Sequence, residues 1–148
     1  MTAKETTGIT VRAIINVPVD SAWKCWTTPK DIRNWNNASD DWHTPHAEND
    51  LRPGGQFNYR MESRDGSMGF DFGGIYNKVE VNRQIDYTIG DGRKVRVFFK
   101  QAGNQTEVVE TFETESTHTL EMQREGWQAI LNNFKEYAEA QSHINSKK

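Results

Sequence analysis

From Ile9 the chain alternates. Ile9, Val11, Ala13, Ile15 and Val17 fall on one side, and Thr10, Arg12, Ile14 and Asn16 on the other. A period of two is a strand with one buried face. Pro18 ends it, because proline has no amide hydrogen to continue a ladder. Asp20 reads as an N-cap, and Ala22, Trp23 and Trp26 share one face of a short helix. Pro29 stops that helix and opens a second, with Ile32 and Trp35 three apart.

A polar loop follows from Asn36 to Asp41, and alternation then returns between turns. Trp42 to Asp50 contains an expected edge strand. Arg52-Pro53-Gly54-Gly55 is a turn, after which Phe57, Tyr59 and Met61 oppose Asn58, Arg60 and Glu62. Asp65-Gly66 is a hairpin signal. The next strand sets Met68, Phe70 and Phe72 on one face, and Gly73-Gly74 predicts a bulge or bend before Ile75 to Val81. Further strands run over 84–89, 94–100 and 106–112, separated by Asn82-Arg83, Gly90-Asp91-Gly92 and Gly103-Asn104. Six strands joined by short turns predict an antiparallel meander.

From Thr119 to Gln141 the period becomes helical: Leu120, Arg124, Trp127, Leu131, Phe134 and Ala138 form a stripe. Residues 1–7 and 142–148 are polar and are expected to be flexible ends around a single domain at 8–141. Sheet and long helix each have one apolar face to hide. The expected architecture is therefore α+β, a curved antiparallel sheet wrapped around a long C-terminal helix.

That order resembles the START/Bet v 1-like (SRPBCC) superfamily, the helix-grip fold, and within it the branch related to the C-terminal domain of the activator of the Hsp90 ATPase. The matching residues are Val17-Pro18-Val19-Asp20, Trp23 with Trp26-Thr27-x-Pro29, and Ile32 with Trp35. Asp50-Leu51-Arg52-Pro53-Gly54-Gly55-Gln56-Phe57, Gly74-Ile75-Tyr76 and Gly126-Trp127 complete the match, which spans residues 8 to 140. Many relatives follow the Trp35 position with a second Trp and a Gly-Pro. Here Asn36-Asn37-Ala38 follows and Trp42 arrives later, so a loop of different shape is expected at the cavity mouth. The resemblance implies a deep apolar cavity between sheet and helix. Family members use it for lipids, polyketides, hormones or other hydrophobic molecules, and only some are enzymes. It also raises a chaperone as partner, and relatives often pair as homodimers.

Composition narrows the classes. Of 148 residues 34% are hydrophobic, mean hydropathy is −0.86, and the core must lean on five Trp, seven Phe and four Tyr. Net charge is −3 with interspersed signs, which argues against a nucleic-acid surface. No run reaches the roughly 20 apolar residues of a membrane span, so no membrane insertion is expected. Cys25 is the only cysteine and no apolar leader precedes the first strand, so a reducing cytoplasm is the expected compartment.

The expected ligand-binding set is Trp35, Trp42, Phe57, Tyr59, Met61, Met68, Phe70, Phe72, Tyr76, Met122, Trp127 and Leu131. Within it the strand aromatics form the sheet side, Trp35, Trp42, Tyr76, Met122 and Trp127 the rim and lid, and Phe134 joins Trp127 on the helix side. For any one of these residues, core packing is the competing reading. Gly126 costs the helix about 1 kcal/mol relative to alanine, offset by close approach of a strand or by room for a ligand, the structural reason being favoured.

His43-x-x-His46 with Glu48 and Asp50 falls short of a closed zinc site, so solvated loop histidines are expected and no metal or cofactor is called for. His118, just before the long helix, could face the cavity entrance as an acid or base, but no Ser, Cys or Asp partner is identifiable by spacing, so an exposed or structural role is favoured. Cys25 is expected to be buried and inert. Arg60, Asp71 and Glu110 stand on expected strands, where they would orient a polar ligand head group in a cavity or face solvent on the outer side of the sheet; Arg60 and Asp71 are out of phase with the aromatic face, so the solvent side is favoured. No catalytic residue is assigned. The expected function is binding of a small hydrophobic molecule. A chaperone-linked interaction module and a small cyclase- or hydrolase-type enzyme are the alternatives, the last requiring titratable groups that converge in the cavity.

Overall fold

The computed structural model describes residues 8–146. Strand β1 (Gly8–Ile15) is followed by helices α1 (Val19–Thr27) and α2 (Pro29–Trp35). Strands β2 (Trp42–Asn49), β3 (Gln56–Ser63), β4 (Gly69–Glu80), β5 (Gln84–Ile89), β6 (Lys94–Ala102) and β7 (Gln105–Glu113) come next, then helix α3 (Leu120–Ser146). The seven strands form one antiparallel sheet in the order β1-β7-β6-β5-β4-β3-β2. Six of them are the meander read from the turns, and β1 joins it beside β7, in register from Gly8↔Glu113 to Ile15↔Thr106. This is the expected helix-grip fold. The segments expected to be flexible, residues 1–7 and the last two residues, lie outside the described residues, and α3 continues past Gln141 to Ser146.

The strand parities place the core. Ile9, Val11 and Ile15 of β1, Val95, Val97 and Phe99 of β6, and Val108 and Phe112 of β7 are buried on the concave face. Helix α1 begins at Val19, with Pro18 at the capping position and no side-chain cap, so Asp20 is not the N-cap expected from its residue type. It stands in the first turn, where a negative charge complements the helix dipole. Thr28 ends α1 and precedes α2, whose first residue is Pro29. The two short helices are tied by the Trp35 indole, whose Nε1 donates to the Cys25 carbonyl at 3.0 Å. Trp26, Trp35 and Phe134 then meet with ring centroids 4.9–5.1 Å apart.

Helix α3 is anchored along the edge strand β1. Arg124, Gln128 and Lys135 donate to the carbonyls of Thr10, Arg12 and Ile14 at 3.4, 3.1 and 2.8 Å. The Glu139 carboxylate accepts from the Asn16 amide at 2.8 Å. One polar stripe of the helix thus covers backbone that an exposed edge would offer to another chain. At its start, Thr119 Oγ1 accepts from the Met122 amide at 3.0 Å, which is an N-cap bond.

The break in β4 is not where the glycines placed it. The strand runs through Gly73-Gly74, and the register shifts between Tyr76 and Lys78. The glycines serve close packing instead. A Cβ on Gly74 would lie 2.3 Å from the Thr88 carbonyl oxygen and 3.1 Å from the Phe57 ring, which stands directly opposite. Gly74→Ala is therefore expected to lower stability by about 2 kcal/mol or more, because backbone and a core ring must both move. Urea denaturation of the two proteins measures it.

Candidate functional site

A cavity of about 430 Å³ opens between the concave sheet and the first half of α3. That volume lies within the usual range of small-molecule sites. Its sheet wall is Phe57, Tyr59 and Met61 of β3 with Phe70, Phe72 and Tyr76 of β4, facing one another across the ladder as Tyr59↔Phe72 and Met61↔Phe70. Ile85 and Tyr87 of β5 continue the wall, and Trp26, Trp35 and Ile130 close one end. Trp127 forms part of the helix side and stacks on Phe112, with centroids 4.1 Å apart and planes within 9°. Such a pair contributes about 0.5–1.5 kcal/mol beyond burial.

Two expected lining residues lie elsewhere. Met68 precedes β4, where its amide donates to Ser63 Oγ at 2.9 Å as part of the hairpin, leaving its side chain 63% exposed. Leu131 is fully buried in the core and does not border the cavity. The helical stripe splits along its length: Gln123, Gly126, Trp127 and Ile130 face the cavity, while Leu131, Phe134 and Ala138 pack inward. Phe134, expected on the helix side of the site, belongs to the tryptophan cluster instead.

The rim also differs. Trp35 and Tyr76 are buried, so they form wall and floor. The Tyr76 hydroxyl donates to Asn49 Oδ1 at 2.5 Å, and Asn49 Nδ2 donates to the Thr27 carbonyl at 2.6 Å. Burial pushes the Tyr76 phenol up to about 12. Trp42 and Phe70, with centroids 5.8 Å apart, and the exposed Met122 stand at the mouth. Asn36 is not a solvated loop residue. It is buried beside the cavity, and its carbonyl accepts from Thr44 Oγ1 at 2.7 Å.

The polar groups are the part that residue types did not place. Glu110 does not face solvent. It stands between Val108 and Phe112 on the concave side of β7, 5% exposed, with Val11 and Val97 as its cross-strand partners. Its carboxyl borders the cavity, and burial raises it from an ordinary 4.5 to about 8. Strand parity carried the signal, since Val108-x-Glu110-x-Phe112 share one face. Arg60 and Asp71 do lie away from the cavity, with Arg60 bonded to Glu62 at 2.9 Å and 3.7 Å from Asp71.

His118 has a partner. Its Nδ1 lies 2.6 Å from Glu115 Oε2, and both residues border the mouth. Gln123 fixes this segment, donating to the carbonyls of Glu115 and His118 at 3.0 and 2.9 Å. Gly126 has no strand against it. A Cβ there would meet nothing within 4 Å, so the close-approach reading fails and the glycine opens onto free space.

Titratable groups thus converge on the cavity, as an enzyme would require. Among the described residues its lining contains no Ser, Thr or Cys nucleophile. Cys25 lies outside it, and burial raises its thiol to about 11. His46 lies 3.3 Å from Glu48 on the exposed edge strand, and no cluster of three metal-ligating side chains forms among the described residues.

A family model described as Activator of Hsp90 ATPase homolog 1-like protein matches residues 16–139. The solution structure of the AHSA1-like protein from Aeromonas hydrophila is 42% identical, with 92% of this chain and 94% of that one covered and a TM-score of 0.87. A solution structure from Cytophaga hutchinsonii is 49% identical over 91% and 94% of the two chains, with a TM-score of 0.78. A crystal structure from Nitrosomonas europaea shares the fold at 18% identity, covering 92% and 96%, with a TM-score of 0.76. Comparison with curated proteins finds no match.

Glu110 makes stability depend on pH. Its folded value lies above its ordinary one, so the folded state holds a proton that the unfolded chain releases between about 4.5 and about 8. Stability from this group is complete at the acid end of that window and is lost as pH rises through it. Between pH 5 and pH 8 the protein is expected to lose on the order of 2–5 kcal/mol relative to Glu110→Gln. Denaturant melts of both at the two pH values check the difference.

Proposed function

The chain belongs to the Activator of Hsp90 ATPase homolog 1-like family, and from that premise we propose that it binds a small hydrophobic molecule in the cavity between sheet and α3. The observation that carries this reading is the space itself: about 430 Å³ bordered by aromatic side chains from seven separate elements. Interiors normally pack to crystal-like density, so a void of this size in an aromatic core is retained against the dispersion and burial energy that filling it would yield. Gly126 supports the same reading, because a residue that weakens the helix stands where any side chain would enter the cavity.

The binding mode is desolvation of an apolar body against the Phe57–Tyr59–Phe72 wall, with Trp127 over it from the helix. Ligands enter past Trp42, Phe70 and Met122 at the mouth. The family description supports a second reading, docking on a chaperone of the Hsp90 type. Its test is a pull-down with an Hsp90 middle domain, and no capture at micromolar concentration removes it.

N-phenyl-1-naphthylamine, a neutral apolar fluorophore, is expected to bind, brighten and quench emission from the cavity tryptophans. Gly126→Leu is expected to weaken it roughly tenfold by occupying the cavity, while stabilising the helix by about 0.5–1 kcal/mol. Fluorescence titration and thermal melts measure both. A wild-type protein that shifts neither emission nor melting temperature with the probe excludes the ligand-binding reading.

A further inference from the structure

Most polar groups on the cavity wall are already engaged. The Trp35 indole donates to the Cys25 carbonyl, the Tyr76 hydroxyl to Asn49, and the Gln123 amide to the Glu115 and His118 carbonyls. Asn36 bonds Thr44, and Glu115 bonds His118. Arg93 brings the one guanidinium to the wall, but its Nε lies 3.1 and 2.9 Å from the two Asp91 carboxylate oxygens, so its charge is balanced. Glu110 differs. Among the described residues its carboxyl has no hydrogen-bond or ion-pair partner, although the residue is 95% removed from solvent by its 5% exposure.

We propose that the cavity recognises a lipophilic amine, an apolar aromatic or alkyl body whose ammonium group pairs with Glu110. This rests on the ligand-binding reading of the same cavity and adds the chemical class. Two independent features meet at the site. One is the unpartnered carboxyl on β7. The other is the aromatic lining of the same cavity, which includes Trp127, Tyr59, Tyr87 and Phe72. A cation is stabilised both by a carboxylate and by aromatic faces, and both effects strengthen where water is excluded.

A neutral ligand would leave Glu110 protonated at pH 7, and an anionic one would hold the proton there more firmly still, so neither would draw on the carboxylate charge. The groups packed about Glu110 do not supply a cation of their own. Val11 and Val97 flank it in the sheet, Tyr87 of β5 lies close enough to feel its charge, and Tyr59 of β3 and Gln123 and Trp127 of α3 line the same cavity. The Arg93–Asp91 pair follows β5, and the Glu115–His118 pair precedes α3.

Pairing has a proton balance. The free protein carries Glu110 about nine-tenths protonated at pH 7, given a value of about 8. An amine arrives as its ammonium ion. Forming the ammonium–carboxylate pair expels the carboxyl proton to the buffer, so binding releases about one proton.

The test uses the whole chain and three probes of one skeleton: 4-phenylbutylamine, 4-phenyl-1-butanol and 4-phenylbutanoate. Calorimetry at pH 7 in two buffers of different ionisation enthalpy gives affinity and protons exchanged. The amine is expected to bind on the order of tenfold more tightly than the alcohol, with the carboxylate weakest, and only the amine is expected to release close to one proton. In Glu110→Gln the amine-to-alcohol affinity ratio falls to about one and the proton release disappears. Equal affinities for amine and alcohol in the wild type overturn the proposal. So does amine binding without proton release, which needs no variant to observe. If N-phenyl-1-naphthylamine binds while the amine shows no preference, this inference alone fails. If no probe binds, the cavity reading falls with it.

Discussion

The placement of α3 is the constraint on which the rest of the structure depends. The helix is not simply laid on the sheet. Arg124, Gln128 and Lys135 tie it to the carbonyls of β1, and Asn16 returns a bond to Glu139. Two aromatic clamps complete the attachment. Trp127 stacks on Phe112, and Phe134 packs edge-on against the touching pair Trp26 and Trp35. Held along one edge and at these two points, the helix cannot settle onto the β3–β4 side of the sheet, and the space there stays open.

That geometry divides the aromatic side chains into two populations. Trp23 and Phe134 satisfy packing, with Trp23 edge-on to Phe99 at 5.2 Å. Phe57, Tyr59 and Phe72 pack against one another on one side and present their other side to the cavity. Trp26 and Trp35 do both, belonging to the core cluster while bordering the cavity. The same residue types therefore supply stability at one end of the helix and a binding surface at the other. Gly126 stands on the open side, where helix propensity yields to volume.

Electrostatics follow from the same enclosure. Glu110 stands between Val11 and Val97 in the sheet and close to Tyr87, and burial alone raises its carboxyl, with no neighbouring charge to reverse the effect. In contrast, the Glu115–His118 and Arg93–Asp91 pairs near the mouth are balanced within themselves. The cavity thus combines a self-compensated rim with one uncompensated group inside, and the chemistry available to a ligand is concentrated there.

Local chemistry determined much of this protein. Alternation located the strands, prolines at 18 and 29 bounded the short helices, and Asp65-Gly66 and Gly90-Asp91-Gly92 made the turns, because these depend on neighbours in sequence. The aromatic wall of β3 and β4 was legible for the same reason, since side chains two apart must share a face. Met68 escaped that rule because the strand begins after it, and Leu131 because one helical stripe can face both a core and a cavity. The path of the chain through Gly73-Gly74 depended on Phe57 and Thr88, which are distant in sequence. Glu110 shows the limit most clearly. Parity alone aims it inward with Val108 and Phe112, but whether an inward glutamate is paired, excluded or left at a cavity is decided by what packs opposite. Only the tertiary structure closes α3, β3 and β5 over the cavity that Glu110 borders and leaves its carboxyl without a countercharge, and desolvation is a property of that whole enclosure, not of the residue.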